Sequence, residues 1–289
     1  MAKYISTKKL ILEKQKKNKN IIQKNKMEIK NISPLRYPGG KTRACRSLDE
    51  ILQEYFHVED FENIVSPFFG GGSFEFYVQN KYDLKIIAND KFTPLYNFWD
   101  VCKTDKKKLC KKLYKKINLI DKSKFSDYRS KIMNEKNKIT QSFMYFIINR
   151  CSFSGATLSG GFSLESSKNR FTKSSIDRIE KLDLSNFEIY NYDFKKFINK
   201  KHKKDCLLFL DPPYYLEKKS KLYGNNGDMH ENFDHEKLYK CLSKKINWIL
   251  TYNNCEYIKK LYKDFTIIEI SWSYGMNKSK KSSEIVIIG

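Results

Sequence analysis

Short apolar runs ending in turn residues recur along this chain and restrict its fold more than any other feature. Residues 63–78 read NIVSPFFGGGSFEFYV: a strand, a turn of three glycines, then a helix-forming stretch. LKIIAND (84–90) is a second strand closed by an acid, and CLLFLDPPYY (206–215) is another. IYNYDFKKF (189–197) again places an acid, Asp193, at a strand end. INWILTYNN (246–254) leads into the helical CEYIKKLY, and FTIIEISW with EIVIIG closes the chain as a hairpin. Strands alternating with helices predict a largely parallel, doubly wound α/β sheet that binds ligands at the carboxyl ends of its strands.

Two segments depart from this rhythm. Residues 1–30 hold ten Lys against two Glu, a local charge of +8 without proline or glycine, and read as a basic arm. Residues 101–189 interrupt the sheet pattern with helical stretches, KKKLCKKLYKKINLI and ITQSFMYFIINR, and a glycine-bearing turn or hairpin, SFSGATLSGGFS. The expected organisation is therefore an arm (1–30), a sheet domain built from 31–100 and 190–289, and an inserted, mainly helical substrate-reading domain over 101–189.

Of the net charge of +23, the part beyond the arm is +15 (23 minus 8). A polyanionic partner is one reading of this excess. The other is compositional bias, because the chain is crowded with Lys, Asn, Ile, Tyr and Phe. The seven cysteines are scattered, odd in number and form no C-x-x-C pair, which fits reduced thiols in a cytoplasmic setting and neither a disulfide framework nor a metal site. No run approaches the length of a membrane span, and MAKYISTKKL lacks the apolar centre of a secretion signal.

The chemistry gathers at the strand ends. Phe69, Gly70, Gly71 and Gly72 form a turn whose backbone a ligand can approach closely, although a tight strand-to-helix turn without ligand has the same composition. Asp90, about twenty residues later, is placed to accept from the hydroxyls of a ribose or to cap a helix; the glycine turn before it favours the ribose. Asp193 and Phe194 suit either an adenine pocket or a cap beside a core ring. Asp211-Pro212-Pro213-Tyr214 is the most specific stretch. The lone pair of an exocyclic amine is delocalised into its base, so the amine is a poor nucleophile. Two acceptors, the Asp211 carboxylate and the Pro212 carbonyl held outward by a rigid backbone, would draw that nitrogen toward tetrahedral geometry. Tyr214 would stack on a base held out of the duplex.

RYPGGK (36–41), FFGGG (68–72) and DPPY (211–214), in that order and with an insertion before the last, resemble the motifs of the Dam-like alpha group of adenine-N6 DNA methyltransferases over residues 33–289. The resemblance implies a Rossmann-like sheet that uses S-adenosyl-L-methionine, acts on double-stranded DNA with no metal, and in some members accompanies a restriction endonuclease. It implies that Tyr37, Gly39, Gly40, Lys41 and Asp211 line the cofactor pocket with the glycine turn, Asp90, Asp193 and Phe194. NRCSFSGATLSGG (149–161) resembles the family's recognition segment, which makes Arg150, Phe153 and Ser154 candidate DNA contacts, Phe153 as a wedge. Lys278, Lys280 and Lys281 resemble a loop near DNA phosphates. Ser66 stands where the family often has Glu. Leu158 stands where GATC-reading members tend to carry Arg, and Leu cannot read guanine O6 and N7. Another site sharing the central AT, such as CATG, stays open. Two other readings remain: an RNA-adenine or cytosine-N4 methyltransferase, and a silent DNA-binding module.

Overall fold

In the computed structural model, residues 30–37, 39–200, 202, 205–215, 233–273 and 281–289 are described. The arm up to residue 29, Lys278 and Lys280 lie outside them. Among the described residues, seven strands form one sheet: β1 (Asn63–Ser66), β2 (Lys85–Asn89), β3 (Phe187–Tyr190), β4 (Cys206–Leu210), β5 (Trp248–Asn253), β6 (Thr266–Ser273) and β7 (Lys281–Ile288), in the order β3-β2-β1-β4-β5-β7-β6. Pairing is parallel from β3 through β5; β7 runs antiparallel to both β5 and β6. The order reverses between β1 and β4, so a crevice opens at their carboxyl ends.

Strand periodicity builds two cores, one on each face. Leu207 and Phe209 of β4 join Ile64, Ile86, Ile249 and Val286 on one face. Cys206, Leu208 and Leu210 join Val65, Trp248, Leu250, Ile285 and Ile287 on the other. Helices α1 (Cys45–Tyr55), α2 (Ser73–Tyr82) and α3 (Thr93–Thr104) supply the first core with Leu48, Leu52, Phe74 and Phe98. The inserted segment carries α4 (Lys106–Tyr114), α5 (Lys122–Lys131), α6 (Lys138–Cys151), α7 (Leu164–Asn169) and α8 (Lys173–Lys181). The second core is covered by α9 (Phe194–Ile198), α10 (His235–Leu242) and α11 (Glu256–Leu261), through Phe197, Leu238, Leu242 and Ile258.

The insertion is helical, as its sequence predicts, but it has no core of its own. Leu109, Phe125, Phe146 and Ile176 belong to the same apolar cluster as Ile64 and Phe69 of the sheet region. The anticipated boundary at 189/190 falls inside β3, because Phe187 through Tyr190 pair in parallel with β2. Helix α6 is buried from Gln141 to Cys151 and leads into the glycine-bearing segment at 152–163. That segment is a short hairpin: Phe153 N–H donates to the Gly161 carbonyl (2.9 Å) and Ser163 N–H to the Cys151 carbonyl (2.9 Å). Among the described residues, no helix is long and apolar enough to cross a membrane.

Candidate active site

The glycine turn sits where β1 ends. Phe69 N–H donates to the Asn89 carbonyl (3.0 Å), Gly70 N–H to the Asp90 carboxylate (3.0 Å), and Trp99 Nε1–H to the Gly70 carbonyl (3.0 Å). Gly72 has φ +66°, and a Cβ there would lie 2.3 Å from the Phe69 ring. Tyr37 packs against the same turn: a Cβ on Gly71 would come within 2.9 Å of the Tyr37 Cβ. Tyr37 and the glycine loop thus form one wall. Asp90 also accepts from Phe92 N–H (2.9 Å), and burial pushes its carboxyl up to about 6 against the pull of the two N–H groups.

Asp211 follows β4 directly, at the switch point. Lys41 Nζ, on the turn Lys41–Arg43, donates to both its oxygens at 2.7 and 2.9 Å, and to the Gly39 carbonyl at 3.1 Å. Thr251 Oγ1 of β5 donates to the same Oδ1 at 2.7 Å. Oδ1 therefore carries two donors and Oδ2 one, which leaves acceptor capacity on Oδ2. Lys41 also stands 3.9 Å from Glu284 and 5.0 Å from the centroid of the Tyr214 ring. Pro212 is buried, while Asp211, Pro213 and Tyr214 are half-buried. Beneath this group, Ser66 Oγ donates to buried Glu75 of α2 at 2.6 Å. Burial drives the Glu75 carboxyl up to about 8.

The β3 end contributes Asp193, whose side chain accepts from Lys195 N–H (3.0 Å) as the cap of α9 and lies 3.5 Å from Lys91 Nζ. Phe194 packs between Phe68 and Phe233, with centroids at 5.6 and 5.3 Å, so most of its ring is covered by protein. Asn89 clamps the two loops around Asp90: its Nδ2 donates to the carbonyls of Pro67 (3.0 Å) and Tyr192 (3.1 Å), and its Oδ1 accepts from Tyr192 N–H (2.8 Å).

On the hairpin after α6, Phe153 is 68% exposed and projects from a strained turn in which Ser154 has φ 55°. Gly155 permits that turn: a Cβ there would lie 2.7 Å from the Arg36 carbonyl oxygen. Arg150, expected on the DNA face, is instead buried. Its Nε donates to the Arg170 carbonyl (2.7 Å) and its Nη1 to the Pro34 carbonyl (3.2 Å), and burial with three nearby arginines lowers its pKa to about 10. It braces the segment from inside. Leu158 is likewise buried, whereas Arg129 of α5 is exposed and donates to the Gly160 carbonyl (3.0 Å). Lys281 opens β7, and its backbone pairs with Ser273.

Sequence reasoning missed Thr251, Glu284, Glu75, Asn89 and Arg129. The signals were present: Thr251 interrupts the apolar start of β5, and Glu284 directly precedes the apolar run IVII of β7. The partners that give them meaning are distant in the chain.

A sheet of this order, with a glycine turn after β1 and an acid-proline-proline-tyrosine stretch after β4, defines a Rossmann-like methyltransferase. Residues 37–276 match the D12 class N6 adenine-specific DNA methyltransferase family, and the chain belongs to it. It is similar to the Type II methyltransferase M.MjaIII of Methanocaldococcus jannaschii, at 24% identity over 268 residues that make up 84% of this chain and 91% of the relative. Its activity is site-specific methylation of adenine in DNA.

Proposed function

We propose that the protein transfers a methyl group from S-adenosyl-L-methionine to N6 of an adenine flipped out of a short duplex site, with Asp211, Pro212, Pro213 and Tyr214 as its catalytic residues. The observation that carries this reading is the Asp211 carboxylate at the switch point, fixed by Lys41 and Thr251 and flanked by Tyr214.

The residues present fit the cofactor. Gly70, Gly71 and Gly72 leave no room for side chains, because added Cβ atoms would meet Tyr37 and Phe69, so the turn presents bare backbone at the end of β1. Asp90 and Asp211 outnumber Lys41, and such a balance favours a cationic ligand. Asp90 would hold the ribose, Tyr37, Gly39 and Gly40 would line the methionine side, and Asp193 with Phe194 would border the adenine. When bound, S-adenosyl-L-methionine supplies an electrophilic methyl group. Asp211 Oδ2 accepts one N6–H of the target adenine and the Pro212 carbonyl accepts the other, which frees the nitrogen lone pair. Asp211 then takes the proton that N6 releases after methylation. Tyr214 stacks on the base and keeps its amine in the plane of these acceptors.

DNA lies on the Phe153 side. Phe153, on its strained turn, occupies the space of the extruded base, Ser154 contacts the opened step, and Arg129 adds a cation beside them. Lys278, Lys280 and Lys281 contribute phosphate contacts. The Type II name of the relative makes a restriction endonuclease acting on the same site the natural companion.

The test is incubation with labelled S-adenosyl-L-methionine and mixed-sequence duplex DNA, read as N6-methyladenine after digestion. Label in N4-methylcytosine, or in RNA alone, would reject the substrate assignment. Asp211→Ala abolishes turnover and leaves DNA affinity largely intact; an active Asp211→Ala protein would reject the assigned role.

A further inference from the structure

We propose that Glu284 is a positioning residue that fixes the Tyr214 ring for stacking on the target base, an inference that rests on the reading of Asp211 to Tyr214 as the catalytic motif. Glu284 lies in β7, directly before its apolar run IVII, and is 2% exposed. An isolated carboxylate at such a place is costly, so its partners reveal what it is kept for. Tyr214 O–H donates to Glu284 Oε2 at 2.7 Å, and Lys41 Nζ lies 3.9 Å from the same oxygen.

The far end of the ring is therefore tethered. A tyrosine hydroxyl bonded to a carboxylate makes a stronger contact than one bonded to a neutral carbonyl. The ring's face is set by Lys41, 5.0 Å from its centroid, and its flank by Tyr252, 5.9 Å away. Tyr252 is held in turn, its hydroxyl 2.7 Å from His235 Nδ1. Since Lys41 also bonds Asp211, the ring that stacks on the base and the acid that receives its amine share one cation. Their relative geometry is set before any base arrives.

The strand opposite supplies the other half of the brace. Asn253 of β5 pairs in register with Glu284. Its Nδ2 donates to the Tyr215 carbonyl at 2.9 Å. Asn253 and Glu284, paired across β5 and β7, thus hold both tyrosines of the motif, one by its main chain and the other by its hydroxyl. Tyr215 itself stacks on Tyr257 at 4.4 Å, which anchors the loop on α11.

The experiment is a double-mutant cycle in the full chain, with methylation kinetics on duplex DNA and fluorescence of 2-aminopurine placed at the target adenine. Glu284→Ala lowers kcat about tenfold, as loss of one charge-assisted hydrogen bond on the reacting geometry would. It also brightens the 2-aminopurine bound in the site, because a loose ring quenches it less. Affinity for S-adenosyl-L-methionine stays within about twofold of wild type. In a Tyr214→Phe background the same substitution changes kcat by less than about twofold, because the hydroxyl it served is gone. Glu284→Gln, which keeps an acceptor and fills the same space, retains most of the activity even if the alanine variant fails to fold. Additive losses, or a Gln variant as impaired as the alanine one, would overturn the proposal by assigning Glu284 to Lys41 or to the strand alone. A wild-type protein that methylates no adenine would instead reject the underlying function, so the two failures are distinguishable.

Discussion

Replacing Glu75 with Gln tests the chemistry beneath the active site through folding stability alone. Gln fills the same volume and still offers an oxygen to Ser66 Oγ, which lies 2.6 Å from the wild-type carboxyl. Burial raises the Glu75 carboxyl from its ordinary 4.5 to about 8. Below 4.5 the carboxyl is protonated in both folded and unfolded chains, and this contribution to stability is fully present. Between 4.5 and about 8 the unfolded chain releases the proton while the folded one keeps it, so the native state binds more protons and stability falls as pH rises. At about 1.4 kcal/mol per pH unit the full loss is on the order of 5 kcal/mol, a large share of the roughly 5–15 kcal/mol that stabilises a folded domain. Urea unfolding of both proteins at pH 5, 6, 7 and 8 measures it, and subtracting the variant's curve removes the separate contribution of Asp90. The wild-type advantage shrinks by about 1.4 kcal/mol for each pH unit over this window. A difference independent of pH, or one growing with pH, would show that Glu75 is ionised and paired with Lys41, and would refute the reasoning.

Gly72→Ala forces a side chain into the left-handed region and against the Phe69 ring 2.3 Å away. It weakens S-adenosyl-L-methionine binding at least about tenfold and lowers stability by about 1–3 kcal/mol, measured by calorimetric titration and denaturant unfolding. Phe153→Ala leaves the fold unchanged, because the ring is 68% exposed, but removes the proposed wedge. Extrusion of 2-aminopurine and kcat/KM fall together, while cofactor affinity does not change. Arg129→Ala separates two kinds of DNA contact. Loss of about 1–3 kcal/mol of discrimination at one base position marks base reading, whereas a uniform loss with a salt slope reduced by about one marks a phosphate contact. An unchanged footprint and salt slope would remove Arg129 from the interface.

The amino-acid sequence by itself determined the chemistry and the scaffold class. Glycines at 70–72 and the Asp211-Pro212-Pro213-Tyr214 run are local solutions to local demands, a backbone without Cβ and an acid beside a rigid carbonyl, and they read off a single stretch of chain. The strands were legible for the same reason, since their period of two is local, and β4 alternates Leu207 and Phe209 to one core with Leu208 and Leu210 to the other. Only the tertiary structure decided how the charges pair. Lys41 and Asp211 are 170 residues apart and Tyr214 and Glu284 are 70 apart, so no spacing rule brings them together. It also decided which arginine faces outward: Arg150 is buried under the carbonyls of Pro34 and Arg170, while Arg129 stands exposed beside the hairpin. Burial is a property of packing across the whole sheet, and it turns Glu284 from one polar residue of a strand into the hydrogen-bond partner of Tyr214, 70 residues away.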